Sequence, residues 1–130
     1  MPVNVEQYKI IYHSLAQQHV QLIAVSKTKP NEDIIELYEL GQRDFGENYV
    51  QELVSKIVRF PTASWHFIGS LQRNKCKQIV GKVALIHSVD REELAAEINK
   101  IAERGHLLAA LHNFEDHALA CIVRAKGHRQ

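Results

Sequence analysis

Lys27 closes a short apolar run, Leu22-Ile-Ala-Val-Ser-Lys-Thr-Lys-Pro30, in which Lys29 follows and Pro30 ends the pattern. An amine held where a strand leaves its sheet, partly withdrawn from water, can lose its proton near neutral pH and attack a carbonyl to form a Schiff base. Further polar groups stand at comparable places downstream: Asn48 shortly after Arg43-Asp-Phe45, His66 inside Ser64-Trp-His-Phe-Ile68, and Ser88 just after Val83–His87. Together they would offer a carbonyl-bearing ligand an amine, a hydrogen-bonding amide, an imidazole that can pack on a ring, and a hydroxyl. Each also has a plainer reading. On the strand pattern alone Lys27 is most simply a solvated lysine at a strand end. Asn48 could cap the following helix. His66, between two aromatic residues, could be a hydrogen-bonded core histidine. Ser88 could bond a neighbouring backbone group in the turn before Asp90.

These groups meet only if their strands lie side by side. Leu22 to Val25 reads as a buried strand of a parallel sheet, with Ile23, Val25, Lys27 and Lys29 on one face and Ala24, Ser26 and Thr28 on the other. The expected strands are Gln21–Ser26, a very short Arg43–Phe45, Ser64–Ile68 and Val83–His87. Helices are expected between them. Val3–His19 carries Val5, Tyr8, Ile11, Tyr12 and Leu15 at helical spacing; Asn31 caps a helix ended by Gly41, with Ile34, Ile35, Leu37, Tyr38 and Leu40 inward. Gly46 gives the backbone room, and a third helix begins near Glu47 and runs to about Val58. Gln72–Val80 is helical up to Gly81, and Asp90 caps a helix from Arg91 to about Glu103. Strand alternates with helix as in a parallel α/β sheet or a β/α barrel, in which the carboxyl ends of the strands form the ligand-binding rim. After Gly105 the rhythm changes. Leu107, Leu108, Leu111, Phe114, Ala118, Leu119 and Ile122 fit one helix face, with a strand around Ala120–Val123 as the alternative.

The composition narrows the classes. A chain of 130 residues with 45% hydrophobic and 24% charged residues forms one ordinary globular domain. A net charge of +1 gives no electrostatic case for nucleic acid. No apolar run approaches the roughly 18 residues of a membrane span. The start of the chain lacks a secretion pattern, and Cys76 and Cys121 read as free thiols, so a cytoplasmic protein is expected. Eight histidines are many, but none pairs as His-x-x-x-His or His-Glu-x-x-His, and His112 with His117 has the wrong spacing for one helix face. No metal site is therefore expected. There is no Gly-x-Gly-x-x-Gly or Walker-type loop, and Arg73-Asn-Lys-Cys-Lys77 is most simply a solvated helix start.

Four motifs in order carry a specific resemblance: Val25-Ser-Lys-Thr-Lys-Pro30; Phe45-Gly-Glu-Asn-Tyr-Val-Gln-Glu52; Trp65-His-Phe-Ile-Gly69 with Leu71-Gln-x-Asn-Lys75; and Ile86-His-Ser-Val-Asp90. Over roughly residues 5–104 the chain resembles the YggS/PROSC family, the pyridoxal 5′-phosphate (PLP) homeostasis proteins. The resemblance implies an α/β fold like the N-terminal barrel domain of alanine racemase, a (β/α)8 TIM-like barrel that holds PLP at the carboxyl ends of its strands. It implies that Lys27 forms the Schiff base, with Lys29 as a nearby charge, and that the protein carries or regulates the cofactor without catalysis. The family pattern fades after about Arg104, where Leu107-Leu-Ala-Ala-Leu-His-Asn-Phe replaces the expected strand, so about four β/α units and a divergent tail over 105–130 are expected. The resemblance places the phosphate cup and the arginine facing the pyridine nitrogen in the later half of a full member, so weakened PLP binding is expected here. A second copy could close the open sheet edges as a homodimer, or the divergent tail could cover the gap.

Two other readings compete. A racemase-like PLP enzyme needs an acid/base partner opposite Lys27, and Tyr8, Tyr12, Tyr38 and Tyr49 all fall in expected helices. A fragment without cofactor, acting through protein interactions at its open edges, is the other.

Overall fold

The computed structural model describes residues 3–87, 89–105, 107–113 and 119–125. The elements run α1 (Val5–Gln17), β1 (Ala24–Val25), α2 (Asn31–Glu39), β2 (Asp44–Glu47), α3 (Val50–Arg59) and β3 (Ser64–Phe67). A 3-10 turn (Arg73–Lys75) then leads into α4 (Cys76–Ile79), β4 (Leu85–Ile86), α5 (Glu92–Gly105), β5 (Leu107–Asn113) and β6 (Leu119–Ala125). The strands form one sheet in the order β1-β2-β3-β4-β6-β5. The first four are parallel neighbours in chain order, each followed by a helix, as the alternation of apolar runs predicts. Among the described residues no helix is long and apolar enough to cross a membrane.

Side chains alternate along the strands, so Phe45, Glu47, Trp65, Phe67 and Ile86 share one face, in register across β2, β3 and β4. That face carries the core. Phe45, Trp65, Phe67 and Ile86 are buried together with Ile34, Leu53, Ile79, Leu94 and Ile98 from the helices. The Phe45 and Trp65 rings lie 5.5 Å apart, and the Trp65 indole donates to the Phe60 carbonyl at 3.0 Å, which satisfies its polar edge. Asp44, Gly46, Ser64, His66 and Leu85 take the opposite face, where Val25 of β1 is 53% exposed.

Four expectations need correction. The third helix begins at Val50 rather than Glu47, because Glu47 continues β2 and is buried. Gly46 permits this: a Cβ there would lie 3.1 Å from Ile68 and 3.2 Å from Ile23, which close over it. Asn31 is the first residue of α2, and Pro30 occupies the cap without a side-chain bond. Leu40 is exposed rather than inward. The tail helix is not formed. Leu107–Asn113 and Leu119–Ala125 instead make an antiparallel pair, and β6 runs antiparallel to β4. The physical reason is the edge of β4, whose backbone groups need partners that apolar, β-prone segments can supply. The alternative strand at Ala120–Val123 falls inside β6. Phe114 and Ala118 lie outside the described residues.

Helices α1 and α2 end in the same way with different residues. After α2, Gly41 at φ 108° donates to Tyr38 O and Gln42 to Leu37 O; after α1, His19 at φ 59° donates to Ala16 O and Val20 to Leu15 O. Both are Schellman endings, whose left-handed position favours glycine. His19→Gly is therefore expected to stabilise the chain by about 0.5–1 kcal/mol, read from the urea unfolding midpoint.

Candidate functional site

Lys27 lies in the tight turn Ser26–Lys29, immediately after β1. Lys29 N–H donates to Ser26 O at 3.1 Å, closing the turn, and Thr28, its third residue, has φ 61°. Type II turns need such a residue, normally Gly or Asn. The Lys27 side chain is exposed. The partial withdrawal from water expected of it is not seen.

What holds the turn was not legible from spacing. Glu47 is 0% exposed and Lys56 5% exposed, and their charged groups meet at 2.8 Å between the end of β2 and the middle of α3. Lys56 Nζ also donates to Ser26 O at 2.7 Å and to Glu52 Oε2 at 2.7 Å. Ser26 Oγ donates to the same Glu47 oxygen, and Thr28 N–H donates to Glu52 Oε2 at 2.6 Å. The Lys27 turn is thus tied at Ser26 and at Thr28 to one buried ionic cluster. Burial pushes the Glu47 carboxyl above its ordinary value, against the opposing hydrogen bonds from Lys56 and Ser26. Burial acts in the same sense on Glu52, but the bonds from Lys56 and Thr28 outweigh it and hold that carboxyl below the ordinary value.

Asn48 sits where β2 gives way to α3. It does not cap the helix, since Tyr49 holds that position and no side chain bonds the first turn. Its Oδ1 is buried without a protein partner. Gly69 allows this approach: a Cβ there would fall on the Asn48 backbone. Asn48, Tyr49, Gln51, Ser70, Gln72 and Lys75 line a cleft of about 330 Å³ at this end of the sheet. Tyr49, expected inside a helix, is exposed at its mouth.

His66 is buried within β3, and both ring nitrogens are engaged. Nε2 meets Asp44 Oδ1 at 3.1 Å and Nδ1 meets His87 Nε2 at 2.9 Å, which forms an Asp44–His66–His87 string from β2 through β3 to the residue after β4. Burial would raise the Asp44 carboxyl, but hydrogen bonds from His66 and Gln21 and the proximity of His66 hold it below its ordinary value. Burial, then His66, pushes the His87 imidazole down. Lys27 and Asn48 therefore share the carboxyl rim on neighbouring strands, while His66 sits inside the sheet. Ser88 lies outside the described residues. Cys76 is a free, buried thiol, pushed up to about 11 by burial, and has no nucleophilic character at neutral pH.

Two outcomes follow from this geometry. Lys56→Met leaves the buried Glu47 carboxyl without its cation and is expected to destabilise the fold by about 3–5 kcal/mol in urea unfolding. His87, with its folded pKa lowered from 6.5, contributes stability that is present above that value and lost as pH falls through the folded pKa. Asp44, also lowered, continues the loss at more acid pH. The difference in unfolding free energy between wild type and His87→Gln is thus expected to be flat above pH 6.5 and to shrink below it.

No family model matches the chain. It is 47% identical over 88 residues to the pyridoxal phosphate homeostasis protein of Vibrio alginolyticus, covering 63% of this chain and 38% of that protein. It is 45% identical over 96 residues to the protein of the same name from Schizosaccharomyces pombe, covering 72% and 40%. Among solved structures it is similar to PipY of Synechococcus elongatus without PLP, with TM-score 0.65 and 44% identity over 72% of this chain and 46% of that one. PipY with PLP bound gives 0.63 and 43% over 72% and 47%. The chain spans about two fifths of the length of the curated relatives it matches, 38% to 40% in these cases. With four motifs in order and identity near one half over the aligned part, the chain is similar to the pyridoxal phosphate homeostasis proteins and to PipY of the COG0325 family over that part.

Proposed function

We propose that this chain binds PLP as a Schiff base on Lys27 and serves in PLP homeostasis as a carrier or regulator, without catalysis. The observation that carries the reading is the Lys27 turn. It places an accessible amine at the carboxyl end of β1 and is tied to a buried ionic cluster at Ser26 and Thr28. The relative PipY was solved with PLP bound. The residues fit the cofactor in one further respect: the unpartnered Asn48 oxygen is a buried polar atom that needs a ligand group or water. An amide can turn to present either its oxygen or its nitrogen. In this proposal Asn48 bonds the cofactor, His66 supports the face beneath it, Ser88 supplies a hydroxyl, and Lys29 is a nearby charge.

The same reading takes β1–β4 and their helices as the N-terminal units of a (β/α)8 barrel. In such barrels phosphates sit on loops after the last strands. Here β6 occupies the edge of β4 that a fifth parallel strand would use, so the phosphate contacts differ and PLP affinity is reduced relative to a full-length relative. The setting is the cytoplasm, in keeping with the free thiol of Cys76. The outer edges of β1 and β5 are where a second copy would pair to form a homodimer. One observation favours the racemase-like alternative. Tyr49, exposed at the cleft beside Asn48, is an acid/base candidate that the expected helix had removed.

Titration with PLP tests the proposal. Wild type is expected to develop the visible absorbance of a protonated Schiff base at millimolar PLP, and Lys27→Ala to lose it. Equal spectra in the two proteins would sink the assignment to Lys27. Sedimentation of the same samples should show dimers; a clean monomer removes the edge-pairing part. Alanine α-proton exchange that depends on Tyr49 would replace the carrier with an enzyme.

A further inference from the structure

Lys27 and Lys29 flank a residue in an unfavourable conformation. Thr28 has φ 61°, a region that a β-branched side chain seldom enters, and such strain persists only where the surroundings over-determine it. Here they do. Glu52 Oε2 accepts the Thr28 N–H at 2.6 Å, and Lys56 Nζ and the Lys29 N–H both reach Ser26 O, at 2.7 and 3.1 Å. The two lysines part across this turn. Lys29 lines a cavity of about 220 Å³ with Ser26, Asp33, Ile34 and Phe45, and Lys27 is not among its lining residues.

We propose that Glu52, by accepting the Thr28 N–H, selects Lys27 over Lys29 for reaction with aldehydes and is a positioning residue of the site. This rests on the reading that the loop takes PLP. The physical reason is that a turn free to relax would let Thr28 return to φ below zero, rotate the peptide that separates the lysines, and present either amine. Glu52 stands in the first turn of α3, and Lys56, one turn further along, holds it from behind at 2.7 Å. The pin is therefore anchored in the core rather than in the loop.

The covalent step balances simply. The neutral lysine amine adds to the aldehyde carbon, a carbon–nitrogen bond forms, and the carbonyl oxygen leaves as water. Cyanoborohydride then delivers hydride to the carbon–nitrogen double bond, and solvent supplies the proton to nitrogen. Trapping at low conversion, with peptide mass spectrometry that resolves the two lysines, reads the Lys27:Lys29 ratio. PLP and formaldehyde serve as separate probes. The full chain is expected to favour Lys27 with both, by about tenfold for a pin of hydrogen-bond strength. Glu52→Ala should bring the ratio close to parity, while Glu52→Gln, which keeps an oxygen for the Thr28 N–H, should retain most of the preference. If circular dichroism shows Glu52→Ala unfolded, Thr28→Pro removes the same hydrogen bond from the exposed side and should have the same effect. An unchanged ratio in the folded variant, or a wild type that favours Lys29, overturns the proposal. A wild type that favours Lys27 with formaldehyde but takes no PLP supports the pin and defeats the function proposed above.

Discussion

A carboxylate and an ammonium enclosed between strand and helix hold the turn that carries Lys27 at the carboxyl rim. Burying Glu47 and Lys56 costs several kcal/mol per ion, and only close contact plus further hydrogen bonds offsets it. Lys56 uses its donors fully, on Glu47, on Glu52 and on the Ser26 carbonyl. One of the Glu47 oxygens remains unpartnered, which fits a carboxyl pushed upward by burial. A hydrophobic replacement of the pair could be as stable. What it could not do is bind the backbone of the β1 loop. The ionic cluster thus ties the β1 loop to the distant end of β2 and start of α3, and the Lys27 turn takes its shape from α3.

The sheet supplies the rest of the constraint. Parallel strands put their carboxyl ends together, so Lys27 and Asn48 arrive on one rim because β1 pairs with β2 in register. Apolar burial is confined to the helix side, where Trp65, Phe67 and Ile86 pack. The opposite face carries the Asp44–His66–His87 string, a polar network that is costly to bury unless each member is bonded. At the far edge the antiparallel β5–β6 pair covers β4 where the parallel pattern stops.

Most of the fold was legible because strands and helices here differ in apolar spacing. The runs at Ala24–Val25, Ser64–Phe67 and Leu85–Ile86 all became parallel strands. The failures share a cause. Glu47 reads as the start of a helix because it follows the Gly46 break, yet tertiary pairing with Lys56 keeps it in the strand. The partner lies nine positions on, across a strand-to-helix crossover, where no helical or strand period points. The tail misled because Leu107 to Ile122 satisfies helical spacing, whereas the free edge of β4 rewards strand pairing. For the candidate site, the resemblance pointed to Lys27, and the motif Phe45–Glu52 that carries it already held Asn48, Glu47 and Glu52. The role of Glu47 and Glu52 as clamps needed distances. The plainer reading of His66, a hydrogen-bonded core histidine, matches its two engaged nitrogens.

The central claim is that the amine at the end of β1 captures PLP while the ionic cluster keeps its turn in shape. A crystal structure of the chain grown with PLP tests it most directly. The account predicts continuous density from Lys27 Nζ into the cofactor, with Thr28 N–H still bonded to Glu52 and the Asn48 side chain partnered. Density joined to Lys29 or another amine, or PLP bound with the Lys27 amine free, would contradict it.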